Sequence, residues 1–463
     1  MECLQKLGYV LIREKRLLEA KEMLVKAKMV AEIAGDQLGV AQCLQNLGES
    51  SYMHRQYQEA RAMFLKAKSA FENIGEQLGV AQCLRRLGDT SRLESRFSEA
   101  RAMLLEAKSA FDSIRDQLGA TQCLRSLGEI SYMEGRYPEA RARLLEAKAA
   151  SENIGDQLGA AQCLLTLGYF SQPVGRHSEA RAMVLEAKSA FENIGDQLGA
   201  AVCLQKLGSI SWLEGRYSEG RAMLLEAKSA FDTIEDPLGA TQCLQSLGNI
   251  SQMENNYPGA REMFLEAKSA FENIGDQLGA TECLYSLGHI SELEGRYPEA
   301  RAMLLEAKSV FENIGFQLGA AQCLQRLGKT SQKENKYPGA REMLLEAKLV
   351  FENIGEQVGA AECLQSLGNI SWLEGRYPEA RAMLLEAKLA FENIGDHFGA
   401  TECLYSLGHI SKLEGRYPEA RAMLLEAKSS FENIGNQLGA AQCLQCLDKI
   451  SPLRGLSQVG STP

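Results

Sequence analysis

The sequence predicts an all-α solenoid of about eleven antiparallel helix pairs closed by a terminal capping helix. Three observations predict it: a period of 40 residues, two helix boundaries in every period, and one apolar stripe on each helix. Residue number modulo 40 therefore gives the position within a unit. Positions 7 and 8 are Leu-Gly from Leu7-Gly8 to Leu407-Gly408. Position 20 is Ala except at Gly220, and position 27 is Ala from Ala27 to Ala427.

The first helix of a unit, helix A, starts at the boundary seen in FENIGDQLGAAVCLQ, residues 191–205. There Ile194 closes an apolar face, Gly195 suits a left-handed C′ residue, and Asp196 suits an N-cap. Nine of eleven units have Gly at that first place, with Arg115 and Glu235 as exceptions, and seven have Asp at the second. Pro237 directly after Asp236 fits the first helical position. Helix A then runs from about position 37 to position 14 of the following unit.

Helix B follows a second boundary, EGRYPEA at 134–140. Gly135 ends helix A, and Pro138, or Ser178 and Ser218 in other units, starts helix B. Apolar residues at positions 20, 24, 27, 31 and 34 make one buried stripe, as with Ala140, Leu144 and Ala147. Small residues at positions 8, 20 and 27 let helix backbones approach closely.

Bulk properties exclude several classes. By length alone, 463 residues suggest about three domains, which the repeat replaces with a continuous array over 1–454 and a disordered tail, 455–463. The 50 basic and 60 acidic residues leave a charge of −10, which argues against a nucleic-acid or anionic-membrane binder. No signal pattern or 18-residue apolar run is present, so a cytoplasmic protein is expected. Twelve of the thirteen cysteines recur every 40 residues from Cys3 to Cys443. Equivalent helices of stacked units lie roughly 8–10 Å apart, beyond ordinary disulfide reach. They are expected to be reduced core residues, and Cys443 with Cys446 has no further ligands for zinc.

Leu124, Leu127-Gly128, Tyr137, Ala140, Leu144 and Ala147, echoed in nearly every unit, resemble the tetratricopeptide repeat. The 40-residue unit is similar to the long-helix variety of Pins/LGN-type adaptors, kinesin light chains and MalT-like or NB-ARC-associated arrays. The family's usual Trp at position 4 is Leu here and its Pro at position 32 is mostly Glu, which fits a longer helix B. The resemblance implies a right-handed superhelix whose A helices line an inner groove, and a protein or peptide partner.

No chemistry stands beside it. Gly328-Lys329-Thr330 lacks the earlier glycine of a phosphate loop, because position 323 is Cys. Asn249-Ile-Ser251 and Asn369-Ile-Ser371 match a glycosylation pattern inside helix A and are read as chance. His54, His177, His289, His397 and His409 are scattered, without an HExxH or nucleophile motif. No catalytic residue, cofactor or metal site is expected.

What remains is a surface. The family's groove positions (2, 5, 6, 9, 12 and 13 of helix A) are where the chain stops repeating itself. Position 9 runs through Tyr9, Glu49, Asp89, Glu129, Tyr169, Ser209, Asn249, His289, Lys329, Asn369 and His409. Position 12 includes Tyr52, Arg92, Tyr132, Trp212, Glu292 and Trp372. Candidate peptide contacts are these aromatics with Asn46, Tyr169, Asn249, Tyr285, His289, Asn369, Tyr405 and His409. Both tryptophans of the chain lie on this face, and Trp is enriched at binding hot spots. Arg85, Arg86, Arg92 and Arg125 form a basic stretch suited to a carboxylate or acidic segment, unless Asp89 and Glu129 neutralise it.

Two irregularities carry expectations. Pro173, at position 13 with Gly175 following, predicts a kink or early stop that would divide the array. The chain also begins at position 1 of a unit, without the first turn of its opening helix A. Either that helix frays or the chain belongs to a longer protein. The expected function is a non-catalytic protein-binding scaffold, and the alternative is a sensing or autoinhibitory array of a larger NB-ARC-type signalling ATPase.

Overall fold

A computed structural model describes residues 17–53, 56–94, 96–171 and 177–450. Every regular element among the described residues is an α-helix, and there are 22 of them, from Leu17–Ala34 to Gln437–Ile450. A helices such as Gln117–Met133 alternate with B helices such as Tyr137–Asn153. The expected boundaries hold, except that helix B starts one residue before the proline, at Tyr137, Tyr297 or Tyr377. The expectations placed on residues 1–16, His54, the kink at Pro173 and the tail from Gly455 lie outside the described residues.

Local geometry explains the fixed period. Gly195 has φ 76°, and the Asp196 carboxylate accepts a hydrogen bond from the Gly199 N–H at 3.0 Å. A side-chain cap of this kind contributes about 1 kcal/mol. Arg115 and Glu235 keep the same left-handed turn, at φ 61° and 55°, although they carry a Cβ. The turn is therefore imposed by the packing of the helices on either side of it.

By internal contact the chain divides into two compact units, Met1–Asp236 and Pro237–Pro463. Within each, every helix packs on the next in sequence, and each A helix also approaches the following A helix. B helices stand farther apart and are joined by long side chains. Arg181, for example, reaches Glu219 of the next B helix at 2.9 Å, Glu214 at 3.1 Å and the Ser211 hydroxyl at 2.6 Å. Arg381 repeats this set with Glu419, Glu414 and Ser411. The A helices thus form the tighter row of each stack.

The cores repeat as the sequence does. In the first unit Ala100, Leu104, Ala107 and Phe111 of one B helix pack on Cys123, Leu127 and Ile130. Gly128 is required there, because a Cβ on it would stand 2.8 Å from Leu144 Cγ. The cysteines from Cys43 to Cys446 are buried. Burial pushes the Cys83 and Cys283 thiols up to about 12, so they stay protonated as small apolar groups.

Candidate functional site

The A-helix face is built by a simple rule: each variable position meets a particular position one unit on. Position 5 meets position 2, as Gln45 donates to Gln82 at 2.9 Å and Gln325 to Glu362 at 3.1 Å. Position 9 meets position 6, as in the Glu49–Arg86 pair at 2.5 Å and the Ser126 hydroxyl donating to Asp89 at 2.7 Å. Position 12 meets position 9, as in Arg92–Glu129 at 3.3 Å and Gln252 against His289 Nδ1 at 3.0 Å. Neighbouring units therefore read out jointly, because changing one side chain removes a partner from the next.

In the first unit the basic stretch is internally paired. Arg85 lies 3.4 Å from Asp89, Arg86 engages Glu49 and Asp89, Arg92 engages Glu129, and Arg125 approaches Glu129 at 4.0 Å while donating to Gln162. Of the two readings of this stretch, the geometry matches neutralisation by the neighbouring acids. Burial also holds the Arg85 guanidinium below its ordinary value, with Asp89 opposing the shift.

The aromatic candidates are mostly set into the surface. Tyr52 is half-buried, with Arg86 over its ring at 5.6 Å, and burial pushes its hydroxyl up to about 12. Tyr132 stacks on Phe170 at 3.6 Å, and burial raises its hydroxyl to about 12. Tyr169 stands out at 45% exposure, beneath Lys206 at 5.1 Å. Asn46 and Trp212 are half-buried on the same face. Trp372 is half-buried too, packed against the cluster that includes Leu364 and Ala380.

The second unit carries a separate cluster. The Tyr285 hydroxyl accepts from Arg326 Nε at 2.9 Å, and the guanidinium lies 5.1 Å from the ring. Arg326 and Lys333 both bind Glu292, at 3.2 and 2.8 Å, and Glu292 is only 5% exposed. Burial works to raise that carboxyl, but Lys333 and Arg326 outweigh it and hold it low. His289 beside them is held down to about 4, first by burial and then by Arg326. Farther along, Trp372 meets the His409 ring at 5.3 Å, Tyr405 meets the same ring at 5.9 Å, and burial lowers His409. Asn249 and Asn369 are half-buried at position 9. Arg326 was missed by sequence reasoning, although its place at position 6 was the available signal.

No group of three or more His, Cys, Asp or Glu side chains suited to a metal occurs among the described residues. No helix among them is long and apolar enough to cross a membrane.

Models described as tetratricopeptide repeat match residues 357–433 and 40–72. These two stretches of the chain carry tetratricopeptide repeats. The chain's fold is the all-α solenoid of that repeat, shared with three solved structures of low sequence identity. The apo quorum sensor NprR from B. thuringiensis is 12% identical with a TM-score of 0.51, covering 76% of this chain and 98% of its own. The Rap conjugation gene regulator of the plasmid pLS20, in complex with a Phr peptide, is 14% identical with a TM-score of 0.52 over 76% and 95%. A signal-transduction ATPase with numerous domains and a tetratricopeptide-repeat sensor, from Pyrococcus horikoshii, is 14% identical with a TM-score of 0.52. That match spans 81% of this chain and 54% of the ATPase. No curated protein sequence matches significantly. At these identities the likeness is one of fold, and it assigns no ligand to this chain.

Proposed function

We propose that this chain is a non-catalytic scaffold whose A-helix face binds an extended or helical peptide from a partner protein. One observation carries the reading: core positions repeat with little change while positions 5, 6, 9 and 12 of the same helices vary in charge, size and aromaticity. A solenoid holds its stacking positions fixed and is free to diversify the side chains that face outward. The fold likeness to a regulator whose structure is in complex with a Phr peptide supports the same reading. The internally paired arginines favour a partner that exchanges ion pairs along the face over one that simply neutralises a free basic patch.

The test is site-specific photocrosslinking on the full chain. Benzoylphenylalanine placed at Tyr132, Tyr169 or Trp372 is expected to capture peptides selected from a random display library, and the same probe at B-helix positions such as Leu105 or Leu385 is expected to capture none. Crosslinks confined to the B helices would overturn the proposal.

A second reading, a sensing array within a larger signalling ATPase, is supported by the fold match to the Pyrococcus horikoshii sensor. An in-frame nucleotide-binding module in the genomic sequence upstream of Met1 would favour it over a free adaptor.

A further inference from the structure

Position 31 of helix B is Phe in nine of eleven units. Its ring is the plug between a B helix and the next A helix. Phe111 and Phe191 are fully buried, and each lies where a Cβ on Gly119 or Gly199 would come within 2.3 Å of it. In helix Tyr137–Asn153 the same place is Ser151, with no ring.

A cavity of about 180 Å³ lies beside Ser151, and its lining includes Thr121, Arg125, Ser151, Asp156, Gln162 and Cys163. Thr121, Ser151 and Cys163 form its buried wall, Arg125, Asp156 and Gln162 are partly exposed, and Leu158 is exposed at its rim. The rim residues Arg125 and Gln162 stand at positions 5 and 2, so the cavity opens on the A-helix face. Its volume is close to the roughly 150 Å³ that accepts a benzene ring in an engineered apolar cavity.

The floor carries an unanswered polar group. Ser151 Oγ is at 0% exposure and has no hydrogen-bond partner. Several buried helical serines elsewhere in this chain donate to the carbonyl four residues back, as Ser131 does to Leu127 at 2.9 Å and Ser211 to Leu207 at 2.9 Å. Ser151 Oγ instead faces Gly159, 2.8 Å from where a Cβ on that glycine would stand, and Asp156 Oδ2, whose carboxylate caps the helix by accepting from the Gly159 N–H, is 2.1 Å from the same point. An unsatisfied buried hydroxyl is costly, and a ligand that supplies one polar atom at the far end of a flat ring removes that cost.

We propose that this cavity binds a phenolic ring, inserted from the A-helix face with its hydroxyl hydrogen-bonded to Ser151 Oγ. The polar rim of Arg125 and Gln162 meets whatever carries the ring. A free small phenol and a tyrosine side chain share this chemistry. The pocket does not depend on the peptide reading above, although a tyrosine ligand would join the two.

The test is a thermal-shift and calorimetric titration of the full chain with p-cresol, toluene and N-acetyltyrosinamide. p-Cresol is expected to raise the Tm of the wild-type chain and to leave Ser151→Phe unmoved, since that ring fills the space. Wild type is expected to prefer p-cresol over toluene by about threefold to tenfold, the worth of one neutral hydrogen bond. Ser151→Ala keeps the cavity and is expected to lose that preference. A response to N-acetyltyrosinamide as well assigns the ring to a peptide side chain, and a response to p-cresol alone assigns it to a free phenol. Equal shifts in wild type and Ser151→Phe, no shift in wild type, or no preference over toluene would each overturn the proposal.

Discussion

Phe111 closes over Gly119 so tightly that a Cβ on Gly119 would stand 2.3 Å from Phe111 Cδ1. The ring is pinned in turn by the Leu104, Ala107 and Cys123 cluster. The glycine is therefore part of the joint between one B helix and the next A helix.

From this contact, Gly119→Ala is expected to destabilise the chain by about 1–3 kcal/mol through overpacking, which exceeds the gain in helix propensity. Gly339 sits in helix Tyr337–Ile354 with open space around it. Gly339→Ala is expected to stabilise by about 0.5 kcal/mol. Urea denaturation of both variants checks the opposite signs.

Left-handed turns at Arg115 and Glu235 hold side chains where other units hold Gly. An L-residue there is disfavoured by about 1–2 kcal/mol. Arg115→Gly and Glu235→Gly should each raise stability by about 1 kcal/mol, less the entropy that glycine adds to the unfolded chain. A lowered midpoint in either variant would contradict this account.

His289 makes stability depend on pH. Its folded value is held down to about 4 by burial, with Arg326, Lys333 and Lys329 adding and Glu292 opposing, against about 6.5 unfolded. As pH falls, the unfolded chain takes the proton first, so this contribution is full above about 6.5 and is lost towards about 4. The loss is of order 1–3 kcal/mol. Glu292, held low, adds a loss in the same direction below the ordinary carboxylate range. His289→Gln should flatten the upper part of the stability–pH curve and leave the acid limb in place.

Stacking by neighbours predicts what deletions do. Removing residues 281–320, one full period, should leave a chain that melts cooperatively and does not bind a hydrophobic dye. Removing 301–320 takes away most of one B helix and exposes the apolar faces of its neighbours. That variant should bind dye and aggregate on heating, and indistinguishable melts would sink the nearest-neighbour picture.

Much of this molecule was legible in one dimension. The period, the two helices per unit, the Gly-Asp boundary at Gly195-Asp196 and the buried cysteines all follow from local rules: dihedral preferences, capping and the spacing of apolar residues. Each acts within about one helical turn, so each leaves its mark on adjacent letters. The face was only half legible. Its positions could be named from the repeat, but not that Arg92 is held by Glu129, that Gln252 holds His289, or that Trp372 leans on His409. Those partners are 37 residues apart and meet only because the A helices stack at side-chain distance. The same holds for Ser151, one letter among nine phenylalanines, whose meaning as a cavity depended on the helices that surround the gap.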